Sequence, residues 1–83
     1  MISFSSISLS HLAYWIENDK KIALRIIRLI EEVQRNPFIG IGKREPLKGD
    51  FKGFWSRRID DEHRLIYKLE QGVLLIHSCR FHY

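Results

Sequence analysis

The sequence closes on His77-Ser78-Cys79-Arg80-Phe81-His82-Tyr83, which puts a fixed cation, a titratable imidazole and an aromatic ring within a few residues. Chain ends usually fray, so such groups are either an inert polar tail or are pinned by a neighbouring strand. Elsewhere in the chain stand a carboxylate and further cations: Glu45 in a lysine-rich loop, Arg57 and Arg58 side by side, and His63 followed by Arg64. A carboxylate, arginines and a histidine on separate elements are what metal-free RNA cleavage needs. One group takes the proton of a ribose 2'-hydroxyl, fixed positive charge stabilises the phosphate, and an acid protonates the departing 5'-oxygen. Histidine can serve as acid or base near neutrality. The bland alternative is that the arginines are surface charges and His82 belongs to a tail.

Other chemistries fit less well. Cys79 and His82, three apart on a strand, would point to opposite faces, and no second cysteine pair completes a tetrahedral metal set. Ser56 and Ser78 lack the glycine-rich elbow of a nucleophilic serine. The glycines at 40, 42 and 49 do not have the spacing of a phosphate-cradling loop. No metal and no cofactor are expected.

The elements that must position these groups follow from periodicity. Ile2 to Ser5 suits a short first strand. Ser8 is expected to cap a helix whose apolar stripe is Leu9, Leu12, Ala13 and Ile16. Asp19 is expected to cap a second helix from about Lys20 to Arg35, with Ile22, Ile26, Leu29, Ile30 and Val33 inward, ended by Asn36-Pro37. Ala23, Leu24 and Ile27 widen that stripe, either because the helix is generously buried or because part of the face receives a partner. Lys21, Arg25, Arg28 and Arg35 make a basic stripe on the other side.

Residues 38 to 53 read as a long loop with a short extended piece around Glu45 to Lys48. From Phe54 the period becomes two, giving three strands in an antiparallel meander with turns at Asp60-Asp61-Glu62 and Gln71-Gly72. The last strand is expected over residues 73 to 81, with Arg80 and His82 on one face and Cys79, Phe81 and Tyr83 on the other. The expected fold is therefore α+β: a short N-terminal strand, two helices, then an antiparallel sheet with the helices packed on one face.

The totals agree with one folded domain spanning residues 1 to 83. The chain has 45% hydrophobic and 29% charged residues, a net charge of +4 and one cysteine. This excludes a disordered chain and an internal disulfide, and favours an anionic partner without naming it. With no apolar run long enough to span a bilayer and no basic start or cleavage site of a signal peptide, a cytoplasmic, non-membrane protein is expected.

One segment is more specific than any of these patterns. "NPFIGIGKREPLKGDFKGFWSRRIDDEHRLIYKL", with "CRFHY" after it and "YWIENDKKI" before it, closely resembles YoeB-type toxins, the Txe/YoeB branch of the RelE/ParE toxin superfamily. The resemblance implies a RelE-like fold and a ribosome-dependent messenger-RNA endonuclease that cuts in the ribosomal A site and is neutralised by a YefM-type antitoxin. It also implies roles: Glu45 as general base, Arg64 as transition-state stabiliser and His82 as general acid. Tyr83 would position the substrate, and Lys48 and Arg58 would line the same cleft. Together with the wide apolar face of the second helix, it leaves room for a homodimer. Two departures stand out: Arg44 replaces a proline common in the family loop, and "SFSSISLSH" lacks acidic residues common there. The competing function is that of a ParE-type binder, which inhibits gyrase, or of an inhibitor that merely occupies the ribosome. The presence of Glu45, Arg64 and His82 together favours the nuclease. Trp55 and Tyr67 are expected in the core, His63 in shaping its turn, and His11 and His77 as structural or exposed.

Overall fold

The computed structural model describes residues 1–36 and 44–81, with only the backbone of Arg44 and Glu45. The element order is β1 (Ile2–Phe4), α1 (Ser6–Asn18), α2 (Lys20–Arg35), β2 (Arg44–Pro46), a 3-10 turn (Gly49–Phe51), β3 (Trp55–Arg58), β4 (Arg64–Glu70) and β5 (Val73–Ser78). The five strands form one sheet in the order β1-β5-β4-β3-β2. The meander β2 to β5 is antiparallel, whereas β1 joins the far side of β5 in parallel. A parallel pair needs a crossover, and the two helices with the strands after them supply it. The expected α+β fold with helices on one face is therefore the observed one.

Helix α2 matches its sequence pattern. The Asp19 side chain accepts from the Ile22 amide at 3.3 Å, and the Asn36 amide donates to the Glu32 carbonyl. Ala23, Ile26, Ile30 and Val33 are buried against Leu65, Tyr67, Leu74 and Ile76 of the sheet, with Ile22, Leu29 and Trp55 packed at the margin. Leu24 and Ile27 remain 52% and 40% exposed, so only Ala23 among the widening residues joins the core.

Helix α1 departs from expectation. Its N-cap is Ser5, not Ser8: the Ser5 hydroxyl accepts from the Ser8 amide at 3.0 Å and donates to the His77 carbonyl at 2.7 Å. In a run of serines each could cap, and the choice falls on the one tied to β5 through a second bond, Ser5 N–H to the Ile76 carbonyl. Of the expected apolar stripe only Leu12 packs on the core, while Leu9 is 59% and Ile16 47% exposed and Ala13 is exposed as well. The inward arc is instead Ser8, His11, Leu12 and Trp15. Its polar atoms meet the C-terminal segment at Cys79.

Two backbone features finish the sheet. The β4–β5 hairpin turns on Gln71 and Gly72, with φ of 50° and 78°, the paired left-handed geometry that suits a two-residue connection between right-twisted strands. The last strand ends at Ser78 rather than at residue 81, and a register irregularity opposite Ile66 and Tyr67 precedes its end. Strand alternation therefore does not govern residues 79 to 81. They bend across the sheet end towards α1.

Candidate active site

The two adjacent arginines of β3 part company. Arg57 pairs in register with Leu65 and faces the helices, where its fully buried guanidinium lies 3.5 Å from the Glu32 carboxylate of α2. No nitrogen of that guanidinium makes a hydrogen bond among the described residues. Arg58 pairs with Arg64 on the opposite face, stays exposed, and reaches no closer than 4.0 Å to Asp61. Of the two, Arg58 alone presents its charge to an incoming anion.

Arg64 opens β4 and is fixed by the turn before it. Its Nη1 donates to the carbonyls of Asp60 at 2.8 Å and His63 at 3.0 Å. The turn is itself locked, because the Asp60 carboxylate accepts from the amides of Glu62 and His63 at 2.9 and 2.7 Å, and the Ile59 amide donates back to the His63 carbonyl. Burial raises the Asp60 carboxyl, but hydrogen bonds from the His63 and Glu62 amides, with the charge of Arg25 and that of His63 whenever its ring is protonated, outweigh it and hold it below its ordinary range.

The segment after β5 is anchored on both sides. On α1, the Cys79 amide donates to His11 Nδ1 at 3.2 Å, the Cys79 carbonyl accepts from Trp15 Nε1 at 2.9 Å, and the Cys79 thiol donates to the Ser8 carbonyl at 3.6 Å. This is why the inward face of α1 is polar: it receives a backbone that would otherwise be buried with unmet hydrogen-bonding groups. Burial pushes the Cys79 thiol up to about 12, so it serves as a donor and not as a nucleophile or metal ligand. Among the described residues no three His, Cys, Asp or Glu side chains gather to hold a metal.

Arg80 lays its guanidinium 3.4 Å from the centre of the Tyr14 ring. Phe81 is then held by consecutive residues of the locked turn: its amide donates to His63 Nδ1 at 2.8 Å, and its carbonyl accepts from the Arg64 amide at 3.0 Å. Its φ of 72° is unusual for a non-glycine residue, and these two bonds hold it there. Neither His11 nor His63 was identifiable as an anchor from spacing, since their partners lie 68 and 18 residues away.

The remaining site residues divide as follows. Glu45 stands in β2 at the register position opposite Ser56, which is opposite Ile66, so backbone positions 45, 56 and 66 lie in one row across three strands. Lys48 is exposed and lines an open cleft of about 430 Å³ with Pro46, Lys52, Phe54 and Trp55. His82 and Tyr83 lie outside the described residues, immediately beyond the anchored Phe81. The described chain thus brings Arg58, Arg64 and the backbone of Phe81 together at one end of the sheet, with position 45 one strand further. Tyr67 is buried and Trp55 packs against the core, as expected of both.

A family model of YoeB-like toxins of bacterial type II toxin–antitoxin systems matches residues 4–83. The chain belongs to this family. It is 51% identical over 82 residues to the toxin YoeB of Streptomyces coelicolor, covering 99% of this chain and 98% of that one. Among solved structures, a YoeB/ParE toxin from Agrobacterium tumefaciens superposes with a TM-score of 0.94 at 42% identity, covering 99% and 98% of the two chains. The toxin of a YoeB-YefM complex from Staphylococcus aureus gives 0.91 at 39% identity, covering 100% and 97%. A YoeB dimer from the same organism gives 0.90 at 41%, covering 99% and 95%.

Proposed function

We propose that the protein is a ribosome-dependent mRNA endonuclease, an mRNA interferase, that cleaves messenger RNA in the ribosomal A site without a metal. The observation that carries this reading is the junction of the 59–64 turn with residues 79 to 81, which sets two cations beside the backbone that leads into His82. Glu45 takes the proton from a ribose 2'-hydroxyl, whose oxygen attacks the adjacent phosphorus. As the bond to the 5'-oxygen breaks, Arg64 neutralises charge on the phosphate oxygens and His82 gives a proton to the leaving oxygen. The products are a 2',3'-cyclic phosphate and a free 5'-hydroxyl. Each acid or base of this kind contributes about 10² to 10⁴-fold in rate. Arg58, Lys48 and Tyr83 bind and orient the message.

A YefM-type antitoxin is the protein partner, and a homodimer fits the same surface argument. Leu9, Ile16, Leu24 and Ile27 leave apolar side chains on the outer faces of both helices, more than a monomer of this size needs to expose. The basic residues Lys21, Arg25, Arg28 and Arg35 suit ribosomal RNA. Among the described residues no helix is long and apolar enough to cross a membrane, and a ribosomal target implies the cytoplasm.

Primer extension on a defined message in a purified translation system tests the reading, with wild type, His82→Ala and a ribosome-free control. Cuts that require both the ribosome and His82 are expected. Translation arrest without cuts, equally strong in His82→Ala, would make this chain an inhibitor that acts by occupancy.

A further inference from the structure

The bonds around Phe81 impose a condition on two histidines. A backbone amide can only donate, so the ring nitrogen that meets the Phe81 amide at 2.8 Å must offer a lone pair, and likewise the His11 nitrogen that meets the Cys79 amide at 3.2 Å. Both rings are therefore neutral in this arrangement. They are also held in place by packing: His63 lies edge-on to Trp15 with ring centres 4.8 Å apart, and His11 edge-on to Phe81 at 5.7 Å.

We propose that His63 is a positioning residue of the cleavage site, its neutral ring fixing the Phe81 amide and through it the backbone that presents His82, with His11 securing Cys79 two residues earlier. The inference rests on the reading of His82 as the general acid. It goes beyond that reading because His63 touches no reacting atom in it. The left-handed φ of Phe81 costs energy in a non-glycine residue, so loss of one of its two bonds frees the Phe81 backbone to leave it. A proton on Nδ1 would set donor against donor and release the Phe81 amide.

The charges around the two rings differ. His63 has the Glu62 carboxylate 4.0 Å from Nε2, shares its turn with Asp60 and is followed by Arg64, while α2 reaches the same turn through the interaction of Arg25 with Asp60. From α1 it meets the uncharged Trp15, and from the C-terminal segment Phe81. His11 faces Arg80 and His77.

Amide exchange measured by NMR on the full chain, with cleavage measured in single turnover on programmed ribosomes, tests this. In the wild type the Phe81 amide is protected from exchange. In His63→Leu it exchanges fast, and cleavage falls about 10²-fold at unchanged ribosome affinity. His63→Asn, whose amide oxygen can take the place of Nδ1, restores protection and most of the rate. A protected Phe81 amide in His63→Leu, or a wild-type cleavage rate, overturns the proposal. Should His63→Leu not fold, the wild-type protein decides: a Phe81 amide that exchanges as fast as in an unstructured chain overturns it equally. If the wild type cuts no message, the nuclease reading fails while amide exchange still decides the clamp.

Discussion

Arg57 and Arg58 are the same residue type in the same strand, one position apart, and the sheet gives them opposite work. On the helix-covered face, Arg57 is sealed in the core against Glu32, so its charge is useful only if the pair stays intact. On the open face, Arg58 is exposed opposite Arg64, with only the exposed Asp61 4.0 Å away. The pleat alone decides which arginine is structural and which can meet a phosphate.

The sharpest way to break this contrast is on the buried side. Glu32→Ala leaves the Arg57 cation without its carboxylate and is expected to cost up to about 3–5 kcal/mol, reduced by the partial exposure of Glu32. Urea unfolding measures it, and a change below the noise would show that the pair is not what holds α2 to β3. Arg58→Ala, by contrast, should alter stability by no more than about 0.5 kcal/mol while weakening message cleavage clearly. Trp15→Phe removes the donor to the Cys79 carbonyl while keeping most of the ring, and about 1–3 kcal/mol of stability should go with it. Ser5→Ala deletes the α1 cap and its bond to His77, for about 1 kcal/mol.

The pH dependence sharpens the comparison at the same junction. Burial, Arg80 and His77 lower the His11 value below its ordinary 6.5, so the folded protein binds the proton less readily than the unfolded chain. Its contribution is therefore complete above about pH 6.5 and declines as pH falls from there through the lowered value. Asp60, also lowered, contributes fully above its ordinary 3.8 and loses that contribution only as pH falls further, through its folded value. Thermal melts of wild type and His11→Asn should diverge in the first window and run parallel in the second.

Much of the scaffold was legible in the sequence because it depends on local signals. Asp19 and Asn36 bracket α2 as caps, and Gln71-Gly72 marks the hairpin. What was not legible depends on distant backbone. Ser5 rather than Ser8 starts α1 because β5 offers Ser5 a second partner, and Leu9 and Ile16 face outward because Cys79 needs polar neighbours on the inner side. The end of β5 at Ser78 has the same origin: Trp15 and His11 draw the backbone out of the sheet. For the site, residue type and order nominated both arginines of β3, the family resemblance singled out Arg58, and the strand register supplies the physical reason by burying Arg57. The sequence points to His63 as shaping a turn, which its backbone amide does through Asp60, but the ring's bond to Phe81 spans 18 residues and leaves no mark on local spacing.

The central claim is that acid–base chemistry at the open end of the sheet cuts the message. Single-turnover cleavage of a defined message on programmed ribosomes by Glu45→Gln and His82→Gln, set beside their melting temperatures, tests it most directly. Each should lose at least about 10²-fold in rate with melting unchanged. Either variant cutting at the wild-type rate would contradict the account.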